Sequence, residues 1–288
     1  MSDKTIGILL TIFTAFLLAF MAVLVRIAHQ QSANISTILF MRFSIGLIAL
    51  IPLLKLANQS PFKVNRLGLT VIRALAGTIA MLCFYTALIH LNLADTMMIQ
   101  NTNPIYIPIL VFLFLKVRTN FKTIIGIVIS IIGTIVVINP HGNVLNPYAL
   151  LAVAGAMLTA IAFVSLRQIS KVNPTSSILF YFFAFATVTS GVLMFFGWKM
   201  PTLTGWLTML AIGIIGLIYQ TTLTKAMKYL PSRIVSPIML SSVIFAGIFD
   251  AMFYNVLPNK ITLIGMGITV IGIAIVVLCT KTRQAKTT

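Results

Sequence analysis

Ten apolar runs, each near the length that crosses a bilayer, fill almost the whole chain, and no other feature limits the fold as severely. They cover residues 5–28, 35–56, 67–91, 94–115, 121–138, 147–167, 174–198, 203–227, 233–256 and 261–279. A spanning helix needs about 20 apolar residues, and in lipid every backbone N–H and C=O must be satisfied within the protein. The runs lack the alternation of a membrane barrel, so they are expected to be helices. Between them lie turn-forming breaks such as "NQSPFKVN", "NPHGNVLNP", "KVNP" and "LPNK". Apolar side chains make up 59% of the 288 residues and charged ones only 8%, a balance foreign to a water-soluble domain. The expected fold class is an all-α membrane protein with ten transmembrane helices.

Charge orients the helices. Glu is absent, the acids are Asp3, Asp95 and Asp250, and twenty Lys and Arg bring the formal charge to +17. With the N-terminus inside, fifteen of those cations fall in inner breaks or termini, and only Arg26, Lys199 and Lys260 fall outside. This is a positive-inside pattern, and its alternation from break to break supports ten spans, with both ends cytoplasmic (N-in/C-in). The basicity is an orientation signal; no soluble segment is long enough to bind nucleic acid. The first run is too long for a signal-peptide core and lacks a small-x-small cleavage site, so it reads as the first span. Cys83 and Cys279 lie within apolar runs and read as buried thiols.

The second half repeats the first. A shift of 139 positions carries Gly77, Ala87 and Leu91 onto Gly216, Ala226 and Leu230, and Gly126 and Gly133 onto Gly265 and Gly272. A shift of 141 carries Arg26 onto Arg167. Residues 1–140 and 141–288 each read as five helices, and an odd number of spans per copy inserts the two in opposite senses. Such inverted repeats can exchange inward- and outward-facing forms, the basis of alternating access.

The stretch "FYTALIHLNLADTMMIQNTNPIYIPILVFLFL" and the glycine-spaced helix after it resemble the EamA-type carriers of the drug/metabolite transporter superfamily. "MRFSIGLIALIPLL", "VIRALAGTIAMLCFYTAL" and "VVINPHGNVLNP" are similar to the branch with S-adenosylmethionine and riboflavin uptake carriers. The resemblance implies a multi-pass carrier of the bacterial inner membrane that moves a small polar organic metabolite. An S-adenosylmethionine-like, nucleoside-like or flavin-like solute is expected, with amino-acid or drug export as the alternative. The family often places a Gly-Glu pair after its fourth helix; Lys116 and Val117 stand there, so no role for that Glu carries over.

Inverted-repeat carriers bind substrate near mid-bilayer, where helices are broken or polar. At 1.5 Å per residue, Asn103 lies about 14 Å down the fourth run, near the middle of a core about 30 Å thick. Gln100, Asn101, Thr102 and Asn103 stand there in a row before Pro104 and Pro108, which remove backbone donors. Adjacent residues point about 100° apart, so roughly two of the four can face one cavity. Thr102 is expected to bond its own backbone. The shift of 139 carries Thr102 and Asn103 onto Ser241 and Ser242, beside Pro237. The expected substrate residues are Arg42, Tyr85, Gln100, Asn101, Asn103, Tyr106, Tyr219, Gln220, Ser241 and Ser242. Intramembrane charges are functional candidates by default, which assigns Asp95, Asp250 and Arg73 to coupling or gating. Proton coupling and facilitated exchange both stay open.

His29, His90 and His141 map to outer ends and match no metal-ligand spacing, and there is no phosphate-binding loop or Ser/His/acid set. No metal or cofactor is expected, and an enzyme is not. The expected partners are a small-molecule substrate and the lipid bilayer, with the carrier a monomer or homodimer; a non-transporting scaffold or receptor is the reading outside transport.

Overall fold

The structure is a computed structural model that describes residues 2–31, 33–56, 61–62, 64–91, 93–100, 102–116, 119–138, 147–195, 198, 200–254 and 260–279, without the side chains of 93–95, 98, 134, 250, 254 and 262. Asn101 and His141, both singled out from the sequence, lie outside the described residues, as do the side chains of Asp95 and Asp250.

All regular structure among the described residues is α-helical. The helices are α1 (Asp3–Gln30), α2 (Ile35–Leu56), α3 (Leu67–His90), α4 (Leu93–Gln100), α5 (Asn103–Leu115), α6 (Phe121–Ile138), α7 (Pro147–Ile169), α8 (Thr175–Phe195), α9 (Leu203–Tyr229), α10 (Ser232–Met239), α11 (Ser241–Tyr254) and α12 (Lys260–Cys279). Seven stretches are long and apolar enough to cross a membrane, and shorter apolar helices accompany them. Large apolar side chains such as Ile48, Phe114, Val188 and Leu207 point outward, as a lipid-facing surface requires. The protein is a multi-pass membrane protein.

Two runs that read as continuous spans are each split. The fourth becomes α4 and α5, and the ninth becomes α10 and α11. Proline is the reason: Pro104 and Pro237 each lack the N–H that a continuous helix would send four residues back. The shift of 139 carries Leu93–Gln100 onto Ser232–Met239, so the two breaks fall at the same point of each half.

The most extensive helix contacts join one half to the other: α6 with α12, α3 with α7, α1 with α9, and α2 with α8. Small residues allow this closeness. A Cβ on Gly133 would lie 2.4 Å from the Thr269 backbone nitrogen, and one on Gly272 would lie 2.4 Å from that of Ser130. The glycines spaced along α6 and α12 therefore set backbone against backbone, as expected of helix contacts. Gly46 similarly lies under the Phe183 ring, where a Cβ would come within 2.4 Å. In the α1–α9 seam the Thr14 and Thr222 hydroxyls bond at 2.9 Å.

Candidate functional site

The two helix breaks are repaired in the same way. Thr102 donates its hydroxyl to the Ile99 carbonyl at 2.7 Å, and its repeat equivalent Ser241 donates to the Ile238 carbonyl at 2.7 Å. Both hydroxyls satisfy local carbonyls, the role expected for Thr102. Pro104 cannot supply a donor to the Gln100 carbonyl, and the Asn103 amide does so instead at 2.9 Å. The Asn103 oxygen accepts from the Ser236 hydroxyl of α10, so one side chain joins the two broken helices. Thr102 and Asn103 therefore serve first to keep a proline-broken helix satisfied inside an apolar core.

Beside the breaks lies a cavity with about 620 Å³ of space not filled by atoms, its open mouth included. Ten of the residues around it form five repeat-related pairs. Ala80 pairs with Tyr219, Met81 with Gln220, Phe84 with Leu223 and Gln100 with Met239 at the shift of 139, and Leu18 with Thr159 at 141. In four of these pairs one member is apolar and the other polar. The walls thus descend from both halves equally, while their chemistry is lopsided.

Of the residues singled out from the sequence, Gln100, Asn103, Tyr219, Gln220 and Arg73 line the cavity. Gln100 donates through Nε2 to the Thr159 hydroxyl at 2.8 Å, and its Oε1 is buried without a partner. Arg73 is only 4% exposed, so it does not snorkel to the interface. Its Nη2 donates to Gln220 Oε1 at 3.0 Å, its guanidinium lies 4.4 Å from the centre of the Phe182 ring, and its Nε has no acceptor.

Arg42 lies behind the cavity wall. It is fully buried, and Nη1 donates to the Tyr85 hydroxyl at 2.5 Å and to the Met81 sulfur at 2.7 Å. The rings of Phe43, Tyr85 and Tyr219 surround its guanidinium at 5.5, 5.7 and 5.8 Å. Its Nε and Nη2 have no partner. Tyr85 is thus engaged by Arg42, and it does not line the cavity. Tyr106 is half-buried against the core, Ser241 is committed to Ile238, and Ser242 is buried with no hydrogen-bond partner; none of the three lines the cavity. Thr159, Met81 and Phe84 do, though nothing in the sequence flagged them. Only the repeat, applied to Gln220, points to Met81.

The chain matches the EamA-like transporter family twice, over residues 5–139 and 146–278. It belongs to the EamA-like transporter family. It is 27% identical to the pseudopaline exporter of Pseudomonas aeruginosa over 286 residues, covering 97% of this chain and 96% of that one. It is 22% identical to the S-adenosylmethionine uptake transporter of Rickettsia bellii over 86% of this chain and 85% of that one. A solved crystal structure with 18% identity superposes with a TM-score of 0.80 over 96% of both chains, a likeness of fold. This EamA-like transporter is accordingly a membrane carrier rather than an enzyme, and it acts on a small molecule within a lipid environment. What the cavity offers that molecule is a guanidinium edge, three amides, a threonine hydroxyl, a phenol and an apolar wall.

Proposed function

We propose that the protein carries a small polar organic metabolite across a bacterial inner membrane by alternating access between two inverted five-helix halves, residues 1–140 and 141–288. The observation that carries this reading is the cavity beside the paired helix breaks, walled by repeat-equivalent residues of both halves. Joining α4 to α5 and α10 to α11 as broken spans counts ten, and the proposed orientation puts both termini inside. The crowding of cations on the proposed inner face supports that orientation. Lys171, in the α7–α8 connection, has its pKa pushed down by burial and then by the nearby Arg167 and Arg66.

Gln100, Asn103, Tyr219 and Gln220 are the residues proposed to meet substrate, with Arg73 beside them. Arg42 and Tyr85 support the wall, and Asn101, Tyr106, Ser241 and Ser242 are kept as outer candidates. Asp95 and Asp250 are the acids available within the apolar runs for proton coupling. The near full-length likeness to an exporter favours export; the S-adenosylmethionine uptake carrier keeps import of a nucleoside- or flavin-like solute as the second reading. One chain completes the cavity, so either a monomer or a homodimer serves.

The test is a thermal-shift screen of metabolites on the purified protein, followed by counterflow of the hits in proteoliposomes. Saturable counterflow that is lost in Gln220→Ala is expected. No flux of any stabilising compound would reject the carrier reading in favour of a binding-only role. Asp250→Asn should abolish pH-driven accumulation and spare counterflow if that acid couples protons; equal loss of both rejects the role.

A further inference from the structure

We propose that the cavity takes an organic anion, whose carboxylate or phosphate oxygens bind the free edge of Arg73 and whose own N–H or O–H donor meets Gln100. The inference rests on the carrier reading above and names the substrate class of that same site. Two guanidinium groups sit in the protein core, Arg42 fully buried and Arg73 4% exposed. Among the described side chains the sole carboxylate is that of Asp3, exposed in the first turn of α1. A buried cation without a counter-charge is strongly disfavoured, and in a membrane interior such a group marks a ligand or ion path.

Arg73 keeps unused donor capacity for that counter-charge. One face of the guanidinium is covered by Phe182 and one Nη2 hydrogen is given to Gln220, while Nε is buried with no acceptor. Nε and Nη2 form the edge that takes two oxygens of a carboxylate or phosphate in parallel. Gly77 fixes where the group lies, because a Cβ there would fall 2.2 Å from Nη1. Its repeat equivalent Gly216 gives the same room to Arg42, whose Nε would lie 3.0 Å from an added Cβ. Each half therefore contributes one glycine against which a guanidinium rests. Arg42 reaches the cavity wall through Met81 and faces Tyr219, so its charge adds to the positive potential inside. Opposite this charge, Gln100 Oε1 is an unused acceptor that suits an amine or hydroxyl of the same solute. A solute of net positive charge would enter a site where the described side chains bring two cations and no carboxylate.

Purified full-length protein in detergent, at constant ionic strength, is titrated by thermal shift with mono-, di- and tricarboxylates and phosphate monoesters, against the matching carboxamides and choline. Saturable stabilisation by one of the anion classes is expected, with none from amides or choline, and the responding class tells carboxylate from phosphate. Arg73→Gln should abolish the response and Arg73→Lys should retain part of it. Gly77→Ala, whose Cβ would press on Arg73 Nη1 at 2.2 Å and on the Phe182 ring at 3.1 Å, should weaken anion binding by about 10-fold or more, the effect of one lost charge-assisted hydrogen bond. Equal responses to amides or choline, no response to any anion, or an undiminished response in Arg73→Gln would overturn the proposal. Counterflow separates this from the carrier reading. Flux of a neutral or cationic solute without an anion response overturns the anion site alone, and anion binding without any flux overturns the carrier reading alone.

Discussion

Asn103 at the start of α5 accepts a hydrogen bond from Ser236 in α10, and this contact ties together the broken helices of the two halves. The same amide donates to the Gln100 carbonyl at 2.9 Å. Asn103→Ala leaves a carbonyl and a hydroxyl unpaired, a change that costs about 1–3 kcal/mol per buried group. Ser236→Ala should cost less, and the double variant should fall short of the sum by about 0.5 kcal/mol or more. Reversible unfolding in mixed micelles measures all three. Strict additivity would show that the two residues act separately.

Arg42 separates stability from transport. Replacing a buried ion pair or triad by apolar side chains of similar volume is often neutral or stabilising by about 1–4 kcal/mol, and Arg42 has no carboxylate partner among the described side chains to be left behind. Arg42→Met should therefore hold or raise the melting temperature and lower counterflow. A lowered melting temperature with normal flux would make Arg42 a packing residue.

The α6–α12 seam should tolerate nothing larger than glycine at its contacts. An added Cβ at Gly133 or Gly272 meets backbone nitrogen at 2.4 Å, which only movement of a whole helix relieves. Alanine at either position is expected to destabilise by about 1–3 kcal/mol. Gly267→Ala is the control, since nothing lies within 4 Å of a Cβ there. Thermal melts that rank the three alike would refute the close-packed seam.

Pro237 keeps the ninth run broken. Pro237→Ala returns a backbone donor to α10 and should favour a straighter helix. A bias of about 1.4 kcal/mol toward one state changes its equilibrium tenfold. The variant is expected to melt at the same or a higher temperature while counterflow slows several-fold. Unchanged turnover would show that the break is not used in the transport cycle.

Much of this organisation was legible in the sequence, and the unread part has a physical reason. The shift of 139 aligned both breaks, each with a proline close by, although Pro104 follows its break and Pro237 precedes its own. Thr102 and the glycines of α6 and α12 were read from local rules of hydroxyl back-bonding and close packing. Depth came from helical rise, which placed Gln100 and Asn103 near the cavity. Azimuth did not: Arg42 lies deep enough to line the cavity, yet it turns toward Tyr85, and only the neighbouring helices determine that. The amide of Asn103 looked free for a ligand because its partners, Gln100 and Ser236, are chosen by the break itself. Met81, Phe84 and Met239 line the cavity with side chains that look like any other core residue.

In α4 and in α10 the segment before the break is eight residues long. In the proposed carrier cycle the two segments act as levers with arms of one length, hung in opposite halves, and the α10 arm is latched through Ser236 to Asn103, the first residue of α5. In that cycle a swing of one arm is expected to be met by an equal counter-swing of the other, so that the space between them passes from face to face at constant size, like a revolving door that never stands open on both sides.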